Sequence, residues 1–94
     1  MEYSRDLTQQ IPTTGIVVAG MNSRRRWMAF TNQGPNFIDL TWIDPRDGAS
    51  IAGRIRLQSG QAAVFDTNMA WFGSLSAVAD TATTTLAGVE VYDQ

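Results

Sequence analysis

The side chains of this 94-residue chain best placed for acid–base chemistry are four carboxylates, Asp39, Asp44, Asp47 and Asp66. Two of them facing each other across a cleft would suffice for glycoside hydrolysis, one as the acid and the other as nucleophile or base. Three of the four stand in turn or strand-end contexts that explain them without catalysis. In Asp44-Pro45-Arg46-Asp47-Gly48 the proline occupies the second position of a turn, and the aspartates can bond the nearby backbone. Asp44 and Asp47, with the carbonyls between them, offer oxygen ligands to a hard cation. The segment nevertheless lacks the aspartate spacing and distal glutamate of a calcium loop. Histidine, cysteine and lysine are absent from the chain. Their absence removes the commonest general base, the thiolate and amine nucleophiles, and the usual transition-metal ligands. The expectation is a protein that is not an enzyme, with no catalytic, cofactor-binding or metal-ligating residue.

Binding is the remaining chemistry, and it rests on arginine and aromatic side chains. All seven cations are arginines, and three of them are consecutive: Arg24, Arg25 and Arg26. They read either as the solvated or ion-paired start of a strand, or as forks that pair with carboxylates across a subunit interface. An extended strand points Arg25 one way and Arg24 and Arg26 the other, which divides the cluster. A net charge of −2 and an isoelectric point near 4.7 argue against nucleic acid, whose recognition depends on a basic face. Trp27, Trp42, Trp71, Phe30, Phe37, Phe65 and Phe72 read as core or subunit interface. A sugar-stacking platform would require two or three aromatic rings exposed and coplanar beside polar groups.

The elements that position these residues are strands. From Thr13 onward, β-branched and aromatic runs alternate with clusters of glycine, asparagine, aspartate and proline. Strands are expected over Thr13 to Ala19, Arg24 to Asn32, Phe37 to Ile43, Gly53 to Leu57, Ala62 to Phe65, Ala70 to Ala79 and Thr84 to Tyr92. In the second, Met28, Phe30 and Asn32 share one face, and Arg25, Trp27, Ala29 and Thr31 share the other. In the third, Ile38, Leu40 and Trp42 oppose Asp39 and Thr41. Ile55 and Leu57 point inward, with Arg54 and Arg56 outward. In the last, Val89 and Val91 oppose Glu90 and Tyr92. About seven short strands joined by turn chemistry predict an all-β fold, an antiparallel β-sandwich or jelly-roll-like barrel.

One domain of this size, residues 13–94, is preceded by an extended N-terminal arm, residues 1–12, that ends in Ile11-Pro12. Tyr3, Leu7 and Ile11 recur at spacing four, so the arm reads either as a frayed tail or as a short helix on a neighbouring surface. Charged residues are 17 % of the chain, below the roughly 25 % of an average domain, which suggests that weakly charged surface is covered by a partner. The polar start, Met1 to Asp6, has no secretory pattern, and no apolar run is long enough to span a membrane. Synthesis in a cytosol and no membrane partner are expected.

The run Arg24-Arg25-Arg26-Trp27-Met28-Ala29-Phe30-Thr31-Asn32-Gln33-Gly34-Pro35-Asn36 is followed by Ile55-Arg56-Leu57-Gln58-Ser59-Gly60-Gln61. Trp71-Phe72-Gly73-Ser74-Leu75-Ser76-Ala77-Val78-Ala79 and Val89-Glu90-Val91 complete the pattern. Together, across residues 24 to 92, they resemble the small β-sandwich accessory proteins of tailed bacteriophage virions. The resemblance implies a capsid decoration or cement protein, assembled in the host cytoplasm and resident in the virion. Such a protein self-associates, with a trimer favoured, and clamps neighbouring major-capsid subunits. The alternative is a carbohydrate-binding or adaptor module of a phage tail, neck or fibre. The residues expected at the interface are Tyr3, Leu7, Ile11, Arg24, Arg25, Arg26, Trp27, Trp71 and Phe72.

Overall fold

A computed structural model describes residues 2–43, 50–66 and 73–93, and every regular element among them is a β-strand. In chain order these are β1 (Glu2–Asp6), β2 (Gln9–Ile11), β3 (Ile16–Ala19), β4 (Arg25–Asn32), β5 (Ile38–Ile43), β6 (Ser50–Leu57), β7 (Ala62–Phe65), β8 (Leu75–Ala79) and β9 (Thr84–Asp93). They form two antiparallel sheets. Sheet A runs β1-β9-β4-β7, with β2 also on β9, and sheet B runs β3-β8-β5-β6. With β1 and β2 counted as one interrupted strand, this is the order of a jelly roll, which closes two Greek keys into a two-layer sandwich.

Period-two alternation explains the core. Met28 and Phe30 of β4, Ile38 and Leu40 of β5, Leu75 of β8 and Leu86 of β9 are all fully buried between the layers. Burying each such side chain contributes about 1.5–3 kcal/mol. Asn32 ends β4 inside this core, and its groups are all used. Its Nδ2 donates to the carbonyls of Asn36 (2.7 Å) and Leu57 (2.9 Å), while its Oδ1 accepts from the Gly34 N–H (3.0 Å). Gly34 lies against Thr84, where a Cβ would collide with the threonine methyl. Between β6 and β7, Gly60 takes φ +84° in a turn closed by Gln61 N–H to the Gln58 carbonyl at 3.0 Å, a conformation for which glycine is the natural residue.

The expected arm is corrected over the described residues 2–11, which are strands β1 and β2 rather than a tail or helix. They keep one register along β9, from Glu2 opposite Asp93 to Ile11 opposite Thr84. The physical reason lies in the spacing: positions 3, 7 and 11 are two strand repeats apart, so they share a face of a strand as readily as of a helix. Ile11 is fully buried in the core and Leu7 packs against its margin. Leu7 donates its N–H to the Gly88 carbonyl (2.8 Å), and Gly88 makes room for it, since a Cβ there would stand 2.6 Å from the Phe30 ring and 3.2 Å from the Leu7 Cβ.

Charge also enters the interior. The β4–β9 register shifts between Arg25 and Trp27, so two steps on β4 oppose one on β9. This bulge turns Arg25 away from the Trp27 face on which strict alternation places it, and into the sandwich. On β9 the face turned inward is that of Thr84, Leu86 and Glu90, and the valines Val89 and Val91 lie outward, half-buried.

Candidate interaction surface

The two outer faces differ in chemistry. On sheet B, Asp39 stands beside Arg56 and Arg54 across the β5–β6 pair. Arg56 donates from Nε and Nη2 to the two Asp39 carboxylate oxygens at 3.0 and 3.2 Å, and Arg54 adds a longer contact at 3.4 Å. The Arg56 hydrogen bonds hold the Asp39 carboxyl below its ordinary pKa against the opposing effect of burial, and Asp39 in turn raises the Arg56 guanidinium. Arg56 also lies over the Phe37 ring at 4.7 Å. Thr41 and Ser76 continue this face, with Val17, 55 % exposed, beside Ser76 and Val78 beside Asp39.

Sheet A presents a longer apolar row and no charged residue at its centre. Cross-strand pairing sets Trp27 beside Val91, Ala29 beside Val89 and Val64, and Thr31 beside Ala87 and Ala62. Alternation points this row away from the core, where the side chains are half-buried or exposed, Val64 at 52 %. All nine strands belong to the two sheets, so no third layer of strands covers this face among the described residues. Its margins are polar. Gln10 donates to the Thr85 hydroxyl at 2.8 Å on one side, and Arg26 bridges Glu2 (3.0 Å) and Asp93 (3.6 Å) at the far corner. An apolar centre with a charged, self-complementary rim is the pattern of a protein interface.

The residues expected at an interface divide accordingly. Trp27 lies on the apolar face and Arg26 at its rim. Arg25 does not reach it: its Nε donates to Glu90 Oε2 at 2.7 Å, and its Nη atoms donate to the carbonyls of Gly20 and Gly73, with both charged side chains only 2 % exposed. Ile11 is core and closed to a neighbour in this fold, and Leu7 is half-buried at the core's edge. Tyr3 and Arg24 are exposed at the end of the sandwich, lining a cleft with Tyr92. Trp71 and Phe72 lie outside the described residues, as do Asp44 and Asp47.

Ala29, Thr31, Ala62, Val64, Ala87, Val89 and Val91 were not singled out from sequence. Their signal was the apolar character of both β4 faces, repeated on β7 and β9. Of the aromatics read as core, Phe30 and Phe65 are buried, Trp42 packs against the core and Phe37 is exposed. Of the candidate acids, Asp39 is occupied by arginines, and no three acidic residues converge as a metal site would require among the described residues.

No protein-family model and no curated protein matches the chain. A similar fold occurs in a solved structure from Bacillus endospore appendages, described as a novel family of disulfide-linked pili. It has a TM-score of 0.63 and 11 % sequence identity, and covers 98 % of this chain and 86 % of that one. At this identity the likeness is one of fold.

Proposed function

We propose that the protein is a non-enzymatic structural component that self-associates, with the outer face of sheet A as its contact surface. The observation that carries this reading is the contiguous apolar row from Trp27, Ala29 and Thr31 across to Val64 and Val89. Association removes such a patch from water, and the Arg26, Glu2 and Asp93 rim fixes its register more than its strength. The more specific setting we propose is that of a capsid decoration or cement protein, trimeric and clamping major-capsid subunits in a virion. That setting rests on the resemblance over residues 24 to 92. The fold neighbour belongs to a disulfide-linked pilus, whereas this chain has no cysteine and its contacts would be non-covalent.

Light scattering on the purified protein between about 1 and 100 µM, the range in which interfaces of modest affinity populate, tests the reading. The expected mass is a small multiple of the 10.3 kDa chain, three for a trimer. Val64→Glu, at an exposed position that leaves the core intact, is expected to shift the mass to that of one chain. A wild-type protein that stays monomeric throughout would refute self-association.

A further inference from the structure

At the end of the sandwich where β1 and β9 run past the β3–β4 connection, a cleft of about 460 Å³ is lined by Tyr3, Arg5, Asn22, Arg24, Tyr92 and Asp93. Its volume lies within the range of small-ligand sites. We propose that this cleft binds an acidic sugar, a pyranose bearing a carboxylate.

The aromatic floor comes from strand pairing. Tyr3 lies opposite Tyr92, with ring centroids 5.7 Å apart and planes 33° from parallel, so a sugar ring would pack on the open Tyr3 ring with Tyr92 beside it. Tyr3 is 39 % exposed. The C–H face of a pyranose packs on such rings, and their hydroxyls reach the sugar's edge.

Arg5, on the cleft wall, covers the Tyr92 ring and leaves Tyr3 as the open one. Arg5 lies over the Tyr92 ring at 5.0 Å and donates to Glu90 Oε1 at 3.2 Å, and Glu90 is itself buried and held by Arg25. A fixed floor lowers the ordering cost of binding.

The charge is supplied by Arg24. Arg5, Arg25, Arg26, Arg54 and Arg56 each have a carboxylate partner, whereas the Arg24 guanidinium has none among the described residues. Asn22 accepts the Arg24 N–H through Oδ1 at 3.1 Å, which leaves its Nδ2 without a partner among the described residues. A free guanidinium fork and an amide N–H beside it are donors suited to a carboxylate. Asp93, at the cleft margin, meets Arg26 through Oδ1 at 3.6 Å, and its carboxylate oxygens are acceptors for ligand hydroxyls. A sugar carries several hydroxyl donors on the ring that bears its carboxylate, whereas an acidic peptide side chain carries none and its donors are on the backbone.

The test is a titration followed by amide NMR shifts and calorimetry, with trigalacturonate as the acidic probe and neutral galactotriose as its counterpart. Trigalacturonate is expected to shift residues 3, 22, 24 and 92 saturably, to bind more tightly than galactotriose, and to weaken as salt rises. Arg24→Gln is expected to weaken it about tenfold or more, as loss of a charge-assisted hydrogen bond does. Arg54→Gln, remote on sheet B, is expected to leave it unchanged, and amide spectra of both variants report that the fold is retained. Equal binding of the neutral sugar would overturn the proposal, as would Arg24→Gln within twofold of wild type. Absence of a saturable shift, or an acidic peptide bound more tightly than the saccharide, would do the same. The cleft shares Asp93 with the rim of the proposed contact face, and measuring binding again in Val64→Glu separates failure of one proposal from failure of the other.

Discussion

Replacing Glu90 with alanine removes a buried carboxylate that two arginines hold, one of them buried with it. Its carboxylate accepts from Arg25 Nε at 2.7 Å and from Arg5 Nη1 at 3.2 Å, and the Arg25 and Glu90 side chains are each 2 % exposed. In Glu90→Ala the Arg25 guanidinium stays buried without the Glu90 carboxylate, and removing one partner of a buried pair costs about 3–5 kcal/mol. A domain of this size has about 5–15 kcal/mol in total. At about 4–8 °C per kcal/mol, the melting temperature should fall by about 12–40 °C.

Arg5 is 58 % exposed, so Arg5→Gln should cost less than about 1 kcal/mol. The double change Arg25→Met with Glu90→Leu should recover much of the loss, because it leaves no charge stranded. Urea denaturation followed by circular dichroism measures all of these, in the Val64→Glu background and at one concentration so that association does not add to stability. A Glu90→Ala cost below about 1 kcal/mol would refute the argument, since only a solvated pair is worth so little.

Three further outcomes follow from the packing. Gly88→Ala should destabilise by about 1–3 kcal/mol, because its Cβ would meet the Phe30 ring at 2.6 Å; calorimetric melting reads this, and an unchanged melting temperature would show that Phe30 yields freely. Ile11→Ala should cost about 2–5 kcal/mol in urea melts, as for any core aliphatic, whereas a detached arm would lose nothing. Asp39 has a depressed carboxyl pKa when folded, so its contribution to stability is complete above the ordinary carboxylate value of 3.8 and is lost as pH falls through the folded value. Arg56→Gln should move the Asp39 titration, followed by carboxyl-carbon NMR, upward and shrink that acid-labile share.

The strands of the body were legible because their side chains alternate. Ala62–Phe65 has the expected bounds, and β4, β5 and β9 match to within a residue. Residues 2–11 were not legible, because spacing four fits both a helix and a strand. What decides between them is the long-range pairing with β9, which no local pattern contains. The inward turn of Glu90 was hidden for a related reason. A glutamate between two valines reads as the wet face of a strand, and only the bulge at Arg26 brings a buried partner to it.

The apolar face of sheet A was visible in part, through Trp27, but its extent depends on which strands lie side by side. The cleft is the extreme case. Tyr3 and Tyr92 stand at opposite ends of the sequence and meet only in the β1–β9 register.

The central claim is that copies of this chain meet through the outer face of sheet A. It is tested most directly by isotope-filtered NMR on a mixture of valine-methyl-labelled and unlabelled protein, which detects only contacts between copies. The account predicts cross-peaks from the methyls of Val64, Val89 and Val91 and none from Val17 or Val78 on sheet B. Cross-peaks confined to Val17 and Val78, or none from any valine at concentrations where light scattering shows an oligomer, would contradict it.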